Sequence, residues 1–90
     1  MTDPSKEPGA DLAVIIRAAI LEVAADLDAA DLDELADDAD FRDELDLDSM
    51  DFLNVLIAIK RASGVEVPEA DYPEVRTLAT LQAYLERRRA

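Results

Sequence analysis

Cysteine, histidine and tryptophan are all missing from this 90-residue chain. Without Cys there is no disulfide, no thiolate nucleophile and no sulfur ligand for a metal; without His no side chain titrates near neutrality to shuttle protons. Length excludes more, because a single domain this small keeps little interior for a deep substrate pocket once its core is packed. No enzyme is therefore expected. Two Phe and two Tyr are the only aromatics, which predicts an aliphatic core. Long apolar runs are also lacking: the longest, Leu12 to Ile16 and Val55 to Ile59, fall far short of the ~20 residues that span a membrane. The N-terminus has no basic segment leading into an apolar one, so no secretion signal is expected and the protein reads as cytoplasmic. Positive charge is scarce as well, with nine basic residues against 22 acidic ones and a formal charge of −13. Such a field repels nucleic acid and anionic lipid and attracts basic protein surfaces, so neither nucleic-acid binding nor membrane insertion is expected.

What is present is organised by helical periodicity. Residues 1–10, with Pro4, Pro8 and Gly9 among polar neighbours, show no period and are expected to form a flexible N-terminal tail ahead of a domain over residues 11–90. From Asp11, the apolar residues Leu12, Ile15, Ile16, Ala19, Ile20, Val23 and Leu27 recur at spacings of three and four, which predicts a first helix over 11–27. A long acidic connection follows, in which Leu32, Leu35, Phe41, Leu45 and Leu47 are spaced as anchors to the bundle, with a short turn of helix expected near 31–36. Fourteen acids and one base, Arg42, lie between Glu22 and Asp51. A charge run usually marks a solvated face, and here it would also supply a docking field. No stretch of it fits a calcium-binding loop: a start at Asp46 puts Asp51 where the glycine belongs and Ile57 where the bidentate glutamate belongs. No metal site is expected.

Either Asp48 or Ser49 can cap a second helix over 49–63, ended by Gly64. Pro68 and Pro73 then leave room for one short helix over 69–75, and Thr77 is placed to cap a last helix over 78–88 whose arginines complement the dipole. The expected fold is all-α: a small bundle of three main helices plus one short helix, with a long loop between helices one and two.

Ser49 in isolation reads as an ordinary helix cap, since no His is present to activate it as a nucleophile. Its surroundings change that reading. The stretch Leu45-Asp46-Leu47-Asp48-Ser49-Met50-Asp51-Phe52-Leu53, followed by Gly64-Val65-Glu66-Val67-Pro68, Asp71 and Thr77-Leu78, resembles the acyl carrier protein family over roughly Leu12 to Leu85. The resemblance implies that a phosphopantetheinyl transferase, using magnesium, moves 4′-phosphopantetheine from coenzyme A onto the Ser49 hydroxyl. Asp48 would belong to the attachment motif. It implies further that the protein carries acyl thioesters to acyl-transferring or condensing enzymes with basic docking surfaces, in fatty-acid, polyketide or specialised acyl metabolism, as a monomer.

The chain departs from the family pattern at Asp46, which stands where glycine is frequent and where a left-handed backbone is expected to be tolerated. Asn54, Lys60 and Arg61 replace common acids, and Ser63 stands where a large apolar residue is frequent. At about 100° per residue, Met50, Asn54, Ile57 and Arg61 fall on one stripe of helix two, either the margin of the core or a partner-docking face. A competing reading is an acidic helical interaction module that binds a basic protein without any prosthetic group.

Overall fold

The computed structural model describes residues 10–89, in which α-helices after the first begin at side-chain caps. Helix α1 spans Ala10–Val23, α2 Ala29–Asp33, α3 Phe41–Glu44, α4 Ser49–Ser63 and α5 Leu78–Arg89, with a 3-10 helix over Glu69–Glu74 between the last two. The fold is all-α, as expected. The tail predicted for residues 1–10 lies outside the described residues except for Ala10, which opens α1.

The periodicity predicted helix through Leu27, but α1 stops at Val23. No base lies in its last turn, while Glu22 and Asp26 sit at its end, where the negative pole of the helix dipole disfavours them. The chain instead turns, with Leu27 N–H donating to the Ala24 carbonyl at 3.0 Å, and Asp28 is released to cap α2. Leu27 keeps its half-buried place against the core despite leaving the helix.

The long connection holds more structure than the single turn expected. Asp28 caps α2 through a reciprocal box with Asp31, and Asp40 caps α3 by accepting from the backbone N–H groups of Arg42 and Asp43. Each acid thereby satisfies helix N–H groups that would otherwise lack partners. Leu32, Phe41 and Leu47 are buried and Leu35 and Leu45 half-buried, so all five predicted anchors hold the connection down. It is also tied to the start of α5: an isolated antiparallel bridge joins Asp40 to Thr77, with Phe41 N–H donating to the Arg76 carbonyl at 3.1 Å.

Helix α4 ends as Gly64 takes φ +79°, and Val65 N–H donates to the Ser63 hydroxyl, which itself donates to the Ile59 carbonyl. Pro73 interrupts the short helix that follows, which explains its tight i→i+3 bonding in place of an α-turn. Thr77 and Thr80 cap α5 reciprocally, each accepting from the other's N–H.

α1 packs mainly on α4 and secondarily on α5. Leu12, Ile16 and Ile20 meet Phe52, Val55, Leu56 and Ile59 of α4 and Leu81 and Leu85 of α5 in one buried cluster, and no polar or charged side chain is buried among the described residues. The expectation of an aliphatic core fails at one end. Phe41 and Phe52 are wholly buried with ring centres 5.9 Å apart, and Tyr72 meets Phe52 edge-on at 5.4 Å. Three of the four aromatics are thus gathered beneath the start of α4.

Candidate functional site

The start of α4 is fixed by acids on either side of Ser49. Asp48, in extended conformation, is the cap: its Oδ1 accepts from Asp51 N–H at 2.8 Å, and Asp51 Oδ2 accepts from Asp48 N–H at 3.4 Å. Of the two candidate caps, the structure uses Asp48. Ser49 is the first helical residue, exposed, and its hydroxyl makes no hydrogen bond among the described residues. The hydroxyl is therefore not consumed by the helix, as a capping serine's would be.

The approach to Ser49 is set by α3 and the turn after it. Asp46 takes φ +55°, the left-handed conformation expected of it, and lets the chain reverse so that Leu47 N–H donates to the Arg42 carbonyl at 2.8 Å. This reversal buries Leu47 and leaves Ser49 at the mouth of a cleft of about 330 Å³ lined by Arg42, Ser49, Met50, Phe52, Leu53, Glu69 and Tyr72. Phe52, Leu53 and Tyr72 give it an apolar floor. A slightly larger hollow of about 370 Å³ lies between α2 and the end of α3, but four of its seven lining residues are acids and it does not include Ser49.

Arg42, Glu69 and Tyr72 were not singled out from sequence as cleft residues. For Arg42 a signal existed, since it is the only base in the acidic stretch; for Glu69 and Tyr72 none did, because they reach the cleft from an element twenty residues further along. The stripe on α4 emerges at the surface: Met50 is 63% and Ile57 43% exposed, and Asn54 and Arg61 are exposed too. Arg61 lies 3.8 Å from Glu22 of α1, an exposed pair of little energetic weight. Among the described residues no three carboxylates gather closely enough to hold a metal ion.

In the 3-10 helix that lines the cleft, Asp71 Oδ2 accepts from Tyr84 O–H at 2.6 Å and Arg88 reaches the same oxygen at 3.3 Å, fastening that helix to α5. The Tyr84 hydrogen bond is the chief cause that holds the Asp71 carboxyl below its ordinary range. Burial, and then the Asp71 bond, push the Tyr84 phenol up.

A helix opening on an exposed, unengaged serine beside an apolar-floored cleft suits a covalently attached arm, and the family model of the phosphopantetheine attachment site matches residues 18–85. The chain belongs to this family of carriers. Its curated relatives are named accordingly. It is 29% identical over 66 residues to an acyl carrier protein of Rubrobacter xylanophilus, spanning 73% of this chain and 82% of that one. It is 35% identical over 57 residues to the polyketide-8 synthase acyl carrier protein 2 of Streptomyces avermitilis, spanning 63% and 66%. It is 26% identical over 72 residues to the meromycolate extension acyl carrier protein of Mycobacterium tuberculosis, spanning 80% and 63%. No solved structure matches the chain. The protein is an acyl carrier with covalently bound 4′-phosphopantetheine, whose thiol supplies the thioester that a chain without cysteine cannot form itself. Carriers of this family work with a modifying transferase and with enzymes of acyl metabolism. No helix among the described residues is long and apolar enough to cross a membrane.

Proposed function

We propose that Ser49 carries the arm, and that this monomeric, cytoplasmic carrier has no catalysis of its own but presents acyl thioesters to successive transferring or condensing enzymes. The observation that carries the reading is the division of labour at the start of α4: Asp48 caps the helix, so the adjacent Ser49 hydroxyl remains exposed and without a hydrogen bond among the described residues. Ser5 and Ser63 are the only other serines, and the Ser63 hydroxyl is engaged at the far end of α4. Partner enzymes would be drawn by the acidic field and would read the exposed stripe of Met50, Asn54, Ile57 and Arg61, where two apolar side chains among polar ones favour weak, quickly reversed contact.

Incubation with a broad-specificity phosphopantetheinyl transferase, coenzyme A and magnesium tests the attachment. Wild type should gain one arm and Ser49→Ala none, while Ser49→Ala keeps wild-type stability to within about 0.5 kcal/mol, because an exposed residue outside the cap is changed. Loading of Ser49→Ala would move the attachment elsewhere. Failure of wild type to load beside a competent control carrier would favour the acidic interaction module.

A further inference from the structure

Arg42 is the single base among the fourteen acids of residues 22–51, yet it pairs with none of them. Four of the fourteen have ion-pair partners among the described residues, all supplied from outside the stretch: Arg17 meets Asp33, Arg61 meets Glu22, and Arg76 meets Asp40 and Asp43. The Arg42 guanidinium instead lies over the Phe52 ring, 4.8 Å from its centre, and its buried Nε has no hydrogen-bond acceptor among the described residues. A guanidinium N–H removed from water without an acceptor carries a desolvation cost, of which the contact with the Phe52 ring offsets only a part. Arg42 lines the same cleft as Ser49.

Resting on the attachment proposed above, we infer that Arg42 is the counter-ion of the arm's phosphodiester. The phosphorus of an arm on Ser49 is bonded directly to Oγ, so its anionic oxygens lie at the mouth of the cleft that Arg42 lines. Attachment adds a further negative charge to a protein already at −13, beside Asp46, Asp48 and Asp51. Asp48 and Asp51 each accept from the other's backbone N–H group, and neither is ion-paired with Arg42 among the described residues. A planar guanidinium held against an aromatic face offers paired donors matched to two phosphate oxygens, and stacking on Phe52 limits the entropy lost when they engage. Phe52 thus links the core to the arm: it packs on Phe41 and Tyr72 and orients the base.

The test is a thermodynamic cycle over apo and holo forms of wild type, Arg42→Gln and Arg42→Lys, read by thermal melts and by phosphorus and proton NMR of the holo proteins. Any packing loss on Phe52 is common to apo and holo forms and cancels in the cycle. At low salt, attaching the arm should lower the melting temperature of Arg42→Gln several degrees more than that of wild type, with Arg42→Lys between them. The difference should close near 1 M salt, where the screening length is about 3 Å. The phosphorus resonance should move in Arg42→Gln. An arm that changes wild type and Arg42→Gln equally, with the phosphorus resonance unmoved, would reduce Arg42 to a side chain packed on Phe52 and overturn the inference. Coupling accompanied by shifts only in the pantetheine protons would overturn the phosphodiester assignment by naming another part of the arm. Intact mass of each holo sample separates these results from a failure of Ser49 to accept the arm at all, which would remove the attachment reading and this inference with it.

Discussion

Leu56 and Ile57 are adjacent on α4, yet one is 5% exposed and the other 43%, so truncating each to Ala separates what holds the bundle from what faces partners. Leu56→Ala opens a hole between α4 and α1, and a buried leucine lost in this way costs about 2 to 5 kcal/mol. Ile57→Ala also removes three carbons, but only a little over half of the side chain is covered and solvent fills the space. At about 0.8 kcal/mol for each buried methylene the transfer loss is near 1.4 kcal/mol. Alanine's better helix propensity returns about 0.4 kcal/mol, leaving a net cost of about 1 kcal/mol. For a domain of this size that is a fall in melting temperature of about 4 to 8 °C, and Leu56→Ala should lose at least twice as much. Both variants are measured by urea and thermal unfolding, and each is then loaded and offered to a cognate condensing or transferring enzyme. The expected pattern is crossed: Leu56→Ala is the less stable protein, whereas Ile57→Ala shows the larger rise in the partner's KM. Equal destabilisation would place Ile57 in the core, and an unchanged KM for Ile57→Ala would remove the docking role of the stripe.

Ten of the fourteen acids between Glu22 and Asp51 have no ion-pair partner among the described residues, so moderate salt or millimolar magnesium should raise the melting temperature of the apo protein; coincident melts at low and moderate ionic strength would refute this. Because Asp46 holds φ +55°, Asp46→Val should cost about 1 to 2 kcal/mol in denaturant unfolding while Asp46→Gly costs nothing, and equal effects would mean that the turn relaxes. The Tyr84 hydrogen bond depresses the Asp71 carboxyl, so its stabilisation is present above the ordinary aspartate range and is lost as pH falls through the lowered value. Tyr84→Phe should therefore be less stable than wild type at neutral pH, with the gap narrowing as acid protonates Asp71. A gap independent of pH would assign the loss to packing alone.

The helices were legible where apolar spacing and end signals agreed. Helix α4 occupies the span read from Phe52 to Ile59 and from Gly64, and α5 differs by one residue. Spacing misled at the end of α1, because Leu27 fits the helical period and still packs on the core, while the acids around it decide that the chain must turn. In the acidic connection the sequence shows apolar anchors and one short turn of helix, whereas Asp28, Asp40 and Asp48 open α2, α3 and α4 in succession. A cap is defined by backbone direction, and a sequence with an acid every two or three residues does not show which of them is used. At the start of α4 the sequence offers both Asp48 and Ser49 as caps, and the structure uses Asp48. The cleft was not legible, since Arg42, Phe52 and Tyr72 come together only when the connection is pinned to α5 through Asp40 and Thr77.

The central claim is that acyl groups ride on Ser49, and the most direct measurement is mass spectrometry of the protein taken from its own cells. Trypsin cleaves after Arg42 and Lys60, giving a peptide from Asp43 to Lys60 that contains one serine and no threonine. The intact protein should carry the added mass of one phosphopantetheine, that peptide should retain it, and collision should release the pantetheine fragment from it. An intact protein without the added mass, or with the mass on any other peptide, would contradict the claim.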